Sequence, residues 1–439
     1  MPTRRLSSGF ACALVLTAVA HLAPGGAAQG PRAGLTPVPC EDKAWTRSGK
    51  PLAPLAGARL YSGEYEGGLY HVEVPDAWNG ELVLWAHGHV PSTGAEGLVL
   101  RAGAPPAREA LISRGFAWAA SSYRCNGYVP GQGLLDTHLL KDMFPAITGA
   151  STPQRTYFFG ASMGGHAALV GAHVWPHAVD GTLAICPATP ELMDFFSAVG
   201  AAAEAITGIT ASRDTLQADI TRMTQALGTP PAYTELGRRL ASVQILLSGG
   251  PRPFALEGLE RRLVPNIAPG LEGLVHPVLP WHRMMSNSGV TYRIDEALGL
   301  SAGDLNARVR RKSPEPGLRD ASGRYREAAA FDGRIERPIL SMHTTGDFTT
   351  PVSLQQDLRR AVTAAGRDRW LVQRLYRAAG HCTFSAEEMS AAIDDLVAWV
   401  RGGEPPAGDT VLGDLSDAGR RFTKPLRPGD PGTLSTAGR

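Results

Sequence analysis

Ser162 stands in the run YFFGASMGGHAAL, between Gly160 and Gly164, where a G-x-S-x-G spacing joins a strand-like apolar stretch to a helix-like one. A sharp strand-to-helix turn strains its middle residue and leaves room only for small neighbours, so the spacing reads as a turn presenting a serine hydroxyl at the positive end of a helix. In a chain with 51 glycines such a string also arises by chance, and it is the strand before and the helix after that favour a nucleophile here. A serine hydroxyl becomes a useful nucleophile only when a base takes its proton and a third group holds the base. Both stand downstream. His381 lies in LYRAAGHCTFSAEE after the last predicted strand, and Asp347 lies in PILSMHTTGDFTTPV just past the strand before it. Gly346 permits the turn that aims the carboxylate, and Pro351 opens the next helix. His381 would accept the Ser162 proton and return it to a leaving group, while Asp347 fixes the imidazole tautomer. The alternative for Asp347 is a plain turn aspartate. Asp332 is a weaker candidate because it precedes its strand, and His343 and His166 read as structural.

These residues need a scaffold. From Ala58 to Pro75 two alternating runs flank Glu66, Gly67 and Gly68, which predicts an antiparallel pair at a sheet edge. Leu82 to Ala86 is continuously apolar, as in a parallel strand buried on both faces. Strands follow at Phe116 to Ser122, Arg155 to Gly160 and Gly181 to Cys186, with helices at Pro106 to Ser113, Gly133 to Ile147 and from Met163. Repeated alternation predicts an α/β fold with a mostly parallel sheet covered on both faces. Between Pro187 and Pro338 the pattern turns helical, with stripes Leu216, Ile220, Met223, Leu227 and Leu236, Leu240, Val243, Leu247. Ser212 is the expected N-cap of the first, and Gly228, Pro230 and Pro231 end it. Alternation resumes with strands Ile339 to His343 and Trp370 to Tyr376 and helices Val352 to Ala365 and Ala386 to Val400. The expected organisation is a core over 29–186 and 338–402, a helical cap over 187–337 inserted between the sixth and seventh strands, and a Gly/Pro-rich tail over 403–439 that wraps the surface or frays.

Residues 58–402 resemble the α/β-hydrolase superfamily, carried by the turn at Ser162 and the chain order Ser162, Asp347, His381. The resemblance implies an oxyanion hole after the third strand, where His87, Gly88, His89 and Val90 match an H-G-x element. Backbone N–H groups of His89 or Val90, with that of Met163, would meet the oxyanion. His87 and His89 as a metal pair is the competing reading, but further ligands do not follow nearby, and no metal is expected. Serine at the turn separates the chain from the dehalogenases and epoxide hydrolases of this fold, which place aspartate there. Cys382, directly after His381, resembles tannases and feruloyl esterases, in which a disulfide ties the histidine to the serine strand. Ala161 stands where the partner cysteine would be. Cys125 and Cys186 both follow predicted strands, and either could reach Cys382. In the cap, Met193, Phe195, Phe196, Trp281, Met284 and Met285 either form its own core or line an acyl pocket, with Phe196 and Trp281 the pocket candidates.

Composition bounds the rest. The 439 residues are 43% hydrophobic, with 43 basic against 41 acidic side chains, so no net field selects nucleic acid or an anionic membrane. Arg4 and Arg5 precede an apolar run from Phe10 to about Ala20 and small residues near Ala28, which predicts a signal peptide over 1–28 that removes Cys12. The run is too short for a membrane span. The expected localisation is therefore secreted or periplasmic. Cys40, Cys125, Cys186 and Cys382 remain, compatible with one or two disulfides in any of three pairings. No nucleotide, paired C-x-x-C or H-E-x-x-H motif is present, and no cofactor is expected. The chemistry points to hydrolysis of a small-molecule carboxylic ester. The alternative is a peptidase or amidase, similar to prolyl aminopeptidases, which an acidic amine-binding cluster in the cap would mark. Glu257, Glu260 and Glu272 are spread among arginines and form no clear cluster. A fold used only for binding would be expected to lose one of the three reactive residues, and all three are present.

Overall fold

Eight strands form the main sheet of the computed structural model, which describes residues 40–48, 52–277, 279–319 and 331–427. The expected signal peptide lies outside the described residues. In chain order the strands are β1 (Ala58–Tyr65), β2 (Gly68–Pro75), β3 (Glu81–Ala86), β4 (Ala117–Ser121), β5 (Arg155–Ala161), β6 (Gly181–Ile185), β7 (Ile339–Thr344) and β8 (Leu371–Tyr376). Their spatial order is β1-β2-β4-β3-β5-β6-β7-β8. The pairs β1/β2 and β2/β4 are antiparallel and the remaining five are parallel.

The continuously apolar strands are buried on both faces, as that composition requires. Leu82, Leu84, Ala117, Ala119, Phe158 and Ala184 face one cluster. It includes Leu134, Leu140 and Phe144 of helix Pro130–Thr148 and Ala167, Ala168 and Leu169 of helix Met163–Val174. Val83, Trp85, Trp118, Ala120, Tyr157, Phe159, Leu183 and Leu340 face the other, with Leu111 of helix Arg108–Ser113 and Met389, Ile393 and Leu396 of helix Ala386–Val400. Residues one apart along β3 thus serve opposite layers, the period of two that a strand imposes. Each large side chain withdrawn in this way contributes about 1.5–3 kcal/mol.

Between β6 and β7 the chain leaves the sheet as a run of helices, in the place expected for the cap. The principal ones are Glu191–Thr207, Leu216–Leu227, Glu235–Leu247, Ala255–Glu260 and Ile267–Val275. The first and last of these cross closely because both are small at the crossing. A Cβ on Gly200 would lie 2.7 Å from the Gly270 carbonyl carbon, and one on Gly270 would overlap the Phe196 carbonyl. Helix Leu216–Leu227 is capped at Thr215 and not at Ser212. The Asp219 carboxylate instead gathers the Ser212 N–H at 3.1 Å and the Thr215 hydroxyl at 2.6 Å, so the segment before the helix folds back on its first turn.

After helix Ala386–Val400 the chain returns along the outer edge of β8. Asp409 N–H donates to Gln373 O at 2.7 Å and Leu375 N–H donates to the Asp409 carboxylate at 2.7 Å. Val411, Leu415 and Ala418 pack on Leu375 and Val352. An edge strand left bare would offer pairing groups to another chain, and this segment covers it. No helix among the described residues is long and apolar enough to cross a membrane.

Candidate active site

Ser162 sits between β5 and helix Met163–Val174 with φ 57° and ψ −119°, in the left-handed region that a side chain rarely adopts. Three backbone bonds hold it there. Ser162 N–H donates to Ile185 O at 2.9 Å, and its carbonyl accepts from His166 N at 3.1 Å and Ala188 N at 3.0 Å. The flanking glycines are there for space. A Cβ on Gly160 would overlap the Gly164 carbonyl, and one on Gly164 would overlap the Ala86 carbonyl at the end of β3. Neither obstacle is a flexible side chain, so the turn must distort to accept alanine. Gly164→Ala is therefore expected to lower unfolding free energy by on the order of 3 kcal/mol and to abolish turnover. Gly103→Ala, where a Cβ meets nothing within 4 Å, should be nearly silent. Urea unfolding of the two variants beside the parent chain measures the contrast.

Asp347 is fully buried in the turn after β7. Its Oδ1 accepts from Thr349 N at 2.8 Å and Thr350 N at 3.0 Å, and its Oδ2 accepts from the Thr350 hydroxyl at 2.8 Å. His381 Nδ1 lies 2.6 Å from the same Oδ2. With Nδ1–H donated to the carboxylate, the lone pair is left on Nε2. Burial pushes the Asp347 carboxyl upward, but His381, His343 and the Thr350 N–H more than offset it, holding the group below the ordinary carboxylate range.

The two loops are laced together. Gly346 N–H donates to Ala378 O at 2.8 Å, Thr345 N–H to Tyr376 O at 2.8 Å, and the Thr344 hydroxyl to Gly380 O at 2.6 Å. Gly346 has no room for a side chain, since a Cβ would sit 2.7 Å from Ala379 Cα. Thr350 escaped sequence reasoning. Its hydroxyl also reaches to within 3.2 Å of His381 Nδ1, and the D-x-T-T spacing that lets two N–H groups turn back onto an aspartate was its available signal.

Cys186 and Cys382 are joined, with Cα atoms 5.5 Å apart, and Cys40 is joined to Cys125. Of the two partners open for Cys382, it is Cys186, at the end of β6, that reaches it. β6 lies beside β5, and Ile185 accepts the Ser162 N–H, so one bond and one bridge connect Ser162 to the residue before Cys382, which is His381.

The loop after β3 approaches from the other side. A Cβ on Gly88 would stand 3.3 Å from Ser162 Cβ. Val90 pairs with Gly127 in an isolated bridge, and Gly127 N–H donates to Val90 O at 2.8 Å. His87 is turned inward, with Nδ1 at 2.7 Å from Gly88 O, Nε2 at 3.2 Å from Ser122 O, and its ring stacked 3.9 Å from that of Tyr123. Burial lowers its pKa, and the one N–H of the neutral ring goes to one of these two carbonyls and helps shape the loop. His89 is exposed beside it. Met163, whose N–H begins the helix and has no intrahelical acceptor, buries its side chain under Val129 N.

His343 is fully buried in β7 with Nε2 at 2.7 Å from Thr350 O, and burial lowers its pKa to about 4. The unfolded imidazole, near 6.5, takes up a proton before the folded one does. Stability from this group is complete above pH 6.5 and falls as pH drops toward 4, by on the order of 3 kcal/mol at the bottom of that window. Asp347, whose pKa is depressed, adds its own loss only below the ordinary carboxylate pKa. His343→Gln should flatten the slope of unfolding free energy against pH between 6.5 and 4 by about one proton. An unchanged slope would mean that His343 is protonated in the fold.

In the cap, Met193, Phe195, Met284 and Met285 are buried in its own core, whereas Phe196 and Trp281 keep partial exposure. Glu257 and Glu260 are exposed, and Glu272 faces His282. Acidic side chains gather elsewhere, at a cavity that none of Ser162, Asp347 and His381 lines. This cavity, of about 820 Å³, is lined by Glu191, Asp194, Asp357 and Asp414, with Arg293 and Arg360. These residues come from within the insertion and from the chain after it, so local spacing could not reveal them. Burial and the neighbouring Glu191 raise the Asp357 pKa to about 6. Asp332, the other aspartate weighed, is engaged by His173 at 3.0 Å.

No protein-family model matches the chain. It is 23% identical over 408 residues to o-phthalyl amidase of Xanthobacter agilis, covering 78% of this chain and 87% of that one. Among solved structures it is similar to feruloyl esterase B of Aspergillus oryzae, at 12% identity and a TM-score of 0.40, covering 78% of this chain and 80% of the other. It is similar also to the Pyrococcus furiosus esterase Pf2001, at 14% identity and a TM-score of 0.39, covering 78% and 91%.

Proposed function

Starting from the α/β-hydrolase fold that the strand order and the turn at Ser162 define, we propose that this chain is an exported serine hydrolase that cleaves carboxylic esters through an acyl-enzyme on Ser162. The observation that carries the reading is the His381 to Asp347 contact of 2.6 Å, with that histidine bridged through Cys382 and Cys186 to the strand beside the strained Ser162. His381 Nε2 takes the Ser162 proton as Oγ attacks the acyl carbon. The oxyanion is met by N–H of Met163 and of His89 or Val90, and the alcohol leaves with the proton held on His381. Water then repeats the sequence on the acyl-enzyme and the acid departs. Asp347 stays ionised and steadies the imidazolium, consistent with its depressed pKa.

Two disulfides and the expected leader support export. We infer further that the inserted helices cover Ser162 and so favour small to medium esters over polymers, with Phe196 and Trp281 as acyl contacts. Fluorophosphonate should label the folded protein at Ser162, and intact labelled peptide from any other site would overturn the reading.

A second reading, amide hydrolysis, draws on the relative named o-phthalyl amidase. Paired ester and anilide substrates sharing one acyl group separate the two. The ester is expected to have the higher kcat/KM, and truncating Trp281 or Phe196 should narrow the difference. A preference for the anilide, above all one with a free α-amine, would move the assignment to an amidase.

A further inference from the structure

Asp347 is carried on a turn whose other residues are gripped from outside the sheet. The Thr345 carbonyl accepts from Arg252 Nε at 2.6 Å, and the Phe348 carbonyl accepts from Asn266 Nδ2 at 3.0 Å. Between them Gly346 is faced by helix Ala255–Glu260, where a Cβ on Gly258 would overlap the Gly346 carbonyl. A Cβ on Gly346 would in turn meet the Phe254 carbonyl oxygen at 2.5 Å. Just past the turn, Ser353 N–H donates to Ser248 O at 3.0 Å. Ser248, Arg252, Phe254, Gly258 and Asn266 all belong to the insertion between β6 and β7.

The grip is itself braced. Arg252 Nη1 donates to Gly250 O at 2.7 Å and to the Ser248 hydroxyl at 3.1 Å, and its guanidinium lies 5.0 Å from the Phe348 ring. Asn266 Nδ2 also reaches Gln244 Oε1 at 3.3 Å, and Gln244 Nε2 donates to Leu263 O at 2.9 Å. Arg252, Gln244, Ser248 and Asn266 are buried, so water does not replace a bond that one of them loses. Phe254, whose carbonyl is pressed on Gly346, holds φ at 62°, in the left-handed region that strains a side chain. Burial lowers the Arg252 pKa to about 10 and the Asp347 carboxylate opposes that shift, so Arg252 meets the turn as a cation near a buried anion.

A carboxylate that orients an imidazole through one bond of 2.6 Å works only while its own backbone is still, because an error in the turn is passed on to the ring. The His381 loop steadies the N–H side of the turn, through Gly346 N–H to Ala378 O at 2.8 Å. The carbonyls of Thr345 and Phe348, on either side of Asp347, are held by the insertion. We propose that Arg252 and Asn266 are positioning residues for the Asp347–His381 pair, so that the inserted helices, and not the sheet alone, set the geometry of the triad. This rests on the reading of Ser162, His381 and Asp347 as a triad, and adds that lifting this end of the insertion disarms it.

The proton between His381 Nδ1 and Asp347 Oδ2 reports that geometry without turnover, because so short a bond moves its resonance far downfield in proton NMR spectra. The resonance is expected in the full chain carrying Ser162→Ala, and adding Arg252→Gln or Asn266→Ala should shift it upfield or broaden it. Arg238→Gln, on the same inserted helices but directed at Tyr233 O, should leave it unchanged. With Ser162 in place, Arg252→Gln and Asn266→Ala are each expected to slow fluorophosphonate labelling of Ser162 by about tenfold, and to lower kcat by a similar factor with KM changed less than about twofold. A small phosphonate needs no acyl pocket, so slower labelling separates positioning from substrate contact. Thermal unfolding checks that each variant is folded. Should Arg252→Gln fail to fold, Arg252→Lys keeps the charge but has one donor atom for Thr345 O, Gly250 O and the Ser248 hydroxyl, and labelling about threefold slower is expected. An unmoved resonance with unchanged labelling in the folded variants, or a change in KM alone, would overturn the proposal while a labelled parent chain keeps the triad. A parent chain that shows neither the resonance nor labelling at Ser162 would remove the triad itself, and the positioning role with it.

Discussion

Ser162→Ala and His381→Ala are each expected to lower kcat by on the order of 10⁵- to 10⁶-fold, and the double variant is expected to be no slower than either single one. The non-additivity follows from the geometry. With the hydroxyl gone, His381 has no proton to accept, and with the imidazole gone, the hydroxyl keeps its proton. On the proposed mechanism what survives is the field of the Met163 and His89 or Val90 N–H groups, which does not need either side chain. Asp347→Asn should cost less, about 10⁴-fold, by a different route. Asparagine keeps its oxygen for the Thr349 and Thr350 N–H groups that Oδ1 accepts and so turns its N–H₂ toward His381 Nδ1, which drives the imidazole to the tautomer whose Nε2 carries the proton. Pre-steady-state burst kinetics on an activated ester measure all four proteins. A double variant much slower than both singles, or full activity in Asp347→Asn, would dismantle the triad. Thermal unfolding should show Ser162→Ala folded, because the serine hydroxyl supplies none of the three backbone bonds that hold the turn.

The turns that carry Ser162 and Asp347 could be read early because each is placed by backbone rules that leave a local trace. Gly160 and Gly164 betray the turn, apolar runs of five or six residues mark strands buried on both faces, and Gly346 with Pro351 marks the turn that carries Asp347. What could not be read depends on which strands are neighbours. Cys125 and Cys186 each follow a strand, but β6 lies between β5 and β7 whereas β4 lies beyond β3, and only the sheet order decides that Cys186 meets Cys382. The acidic cavity was hidden for the same reason, since Glu191 and Asp357 are joined across the whole insertion. Arg252 shows a further limit. Its sequence neighbours Gly250, Pro251 and Pro253 read as a turn between helices, and nothing in them tells that its guanidinium is buried against Thr345 and Phe348. The tail past Gly402 was legible as irregular chain, but its lie along β8 rests on Asp409 reaching Leu375, a pairing no periodicity records.

Reduction of the Cys186–Cys382 bridge is expected to cut kcat by about 100-fold before the fold melts. Both cysteines have positive φ, 38° at Cys186 and 53° at Cys382, in the region that an L side chain enters at a cost of about 1–3 kcal/mol. The bridge joins the two strained residues, and once it is opened Cys382 is free to relax to negative φ, while Cys186 stays tied by its N–H to Met342 O at 2.6 Å. His381 is bonded directly to one of them, and its ring nitrogen Nε2 lies only 3.6 Å from Cys382 Sγ, so the relaxation moves the base. The rest of the loop stays anchored through Gly346 N to Ala378 O, through the buried Phe384, and through the Ser385 and Glu388 capping pair. Displacement is therefore local, on the order of 1 Å, enough to spoil proton transfer and too little to unfold the sheet. The paired Cys186→Ser, Cys382→Ser variant should reproduce the loss without reductant, with KM changed far less than kcat. The Cys40→Ser, Cys125→Ser pair opens a bridge spanning 85 residues, and its effect is expected to fall mainly on thermal stability. If the chain is reduced in stages and Cys382 is found as a free thiol while kcat is intact, the bridge does not position His381.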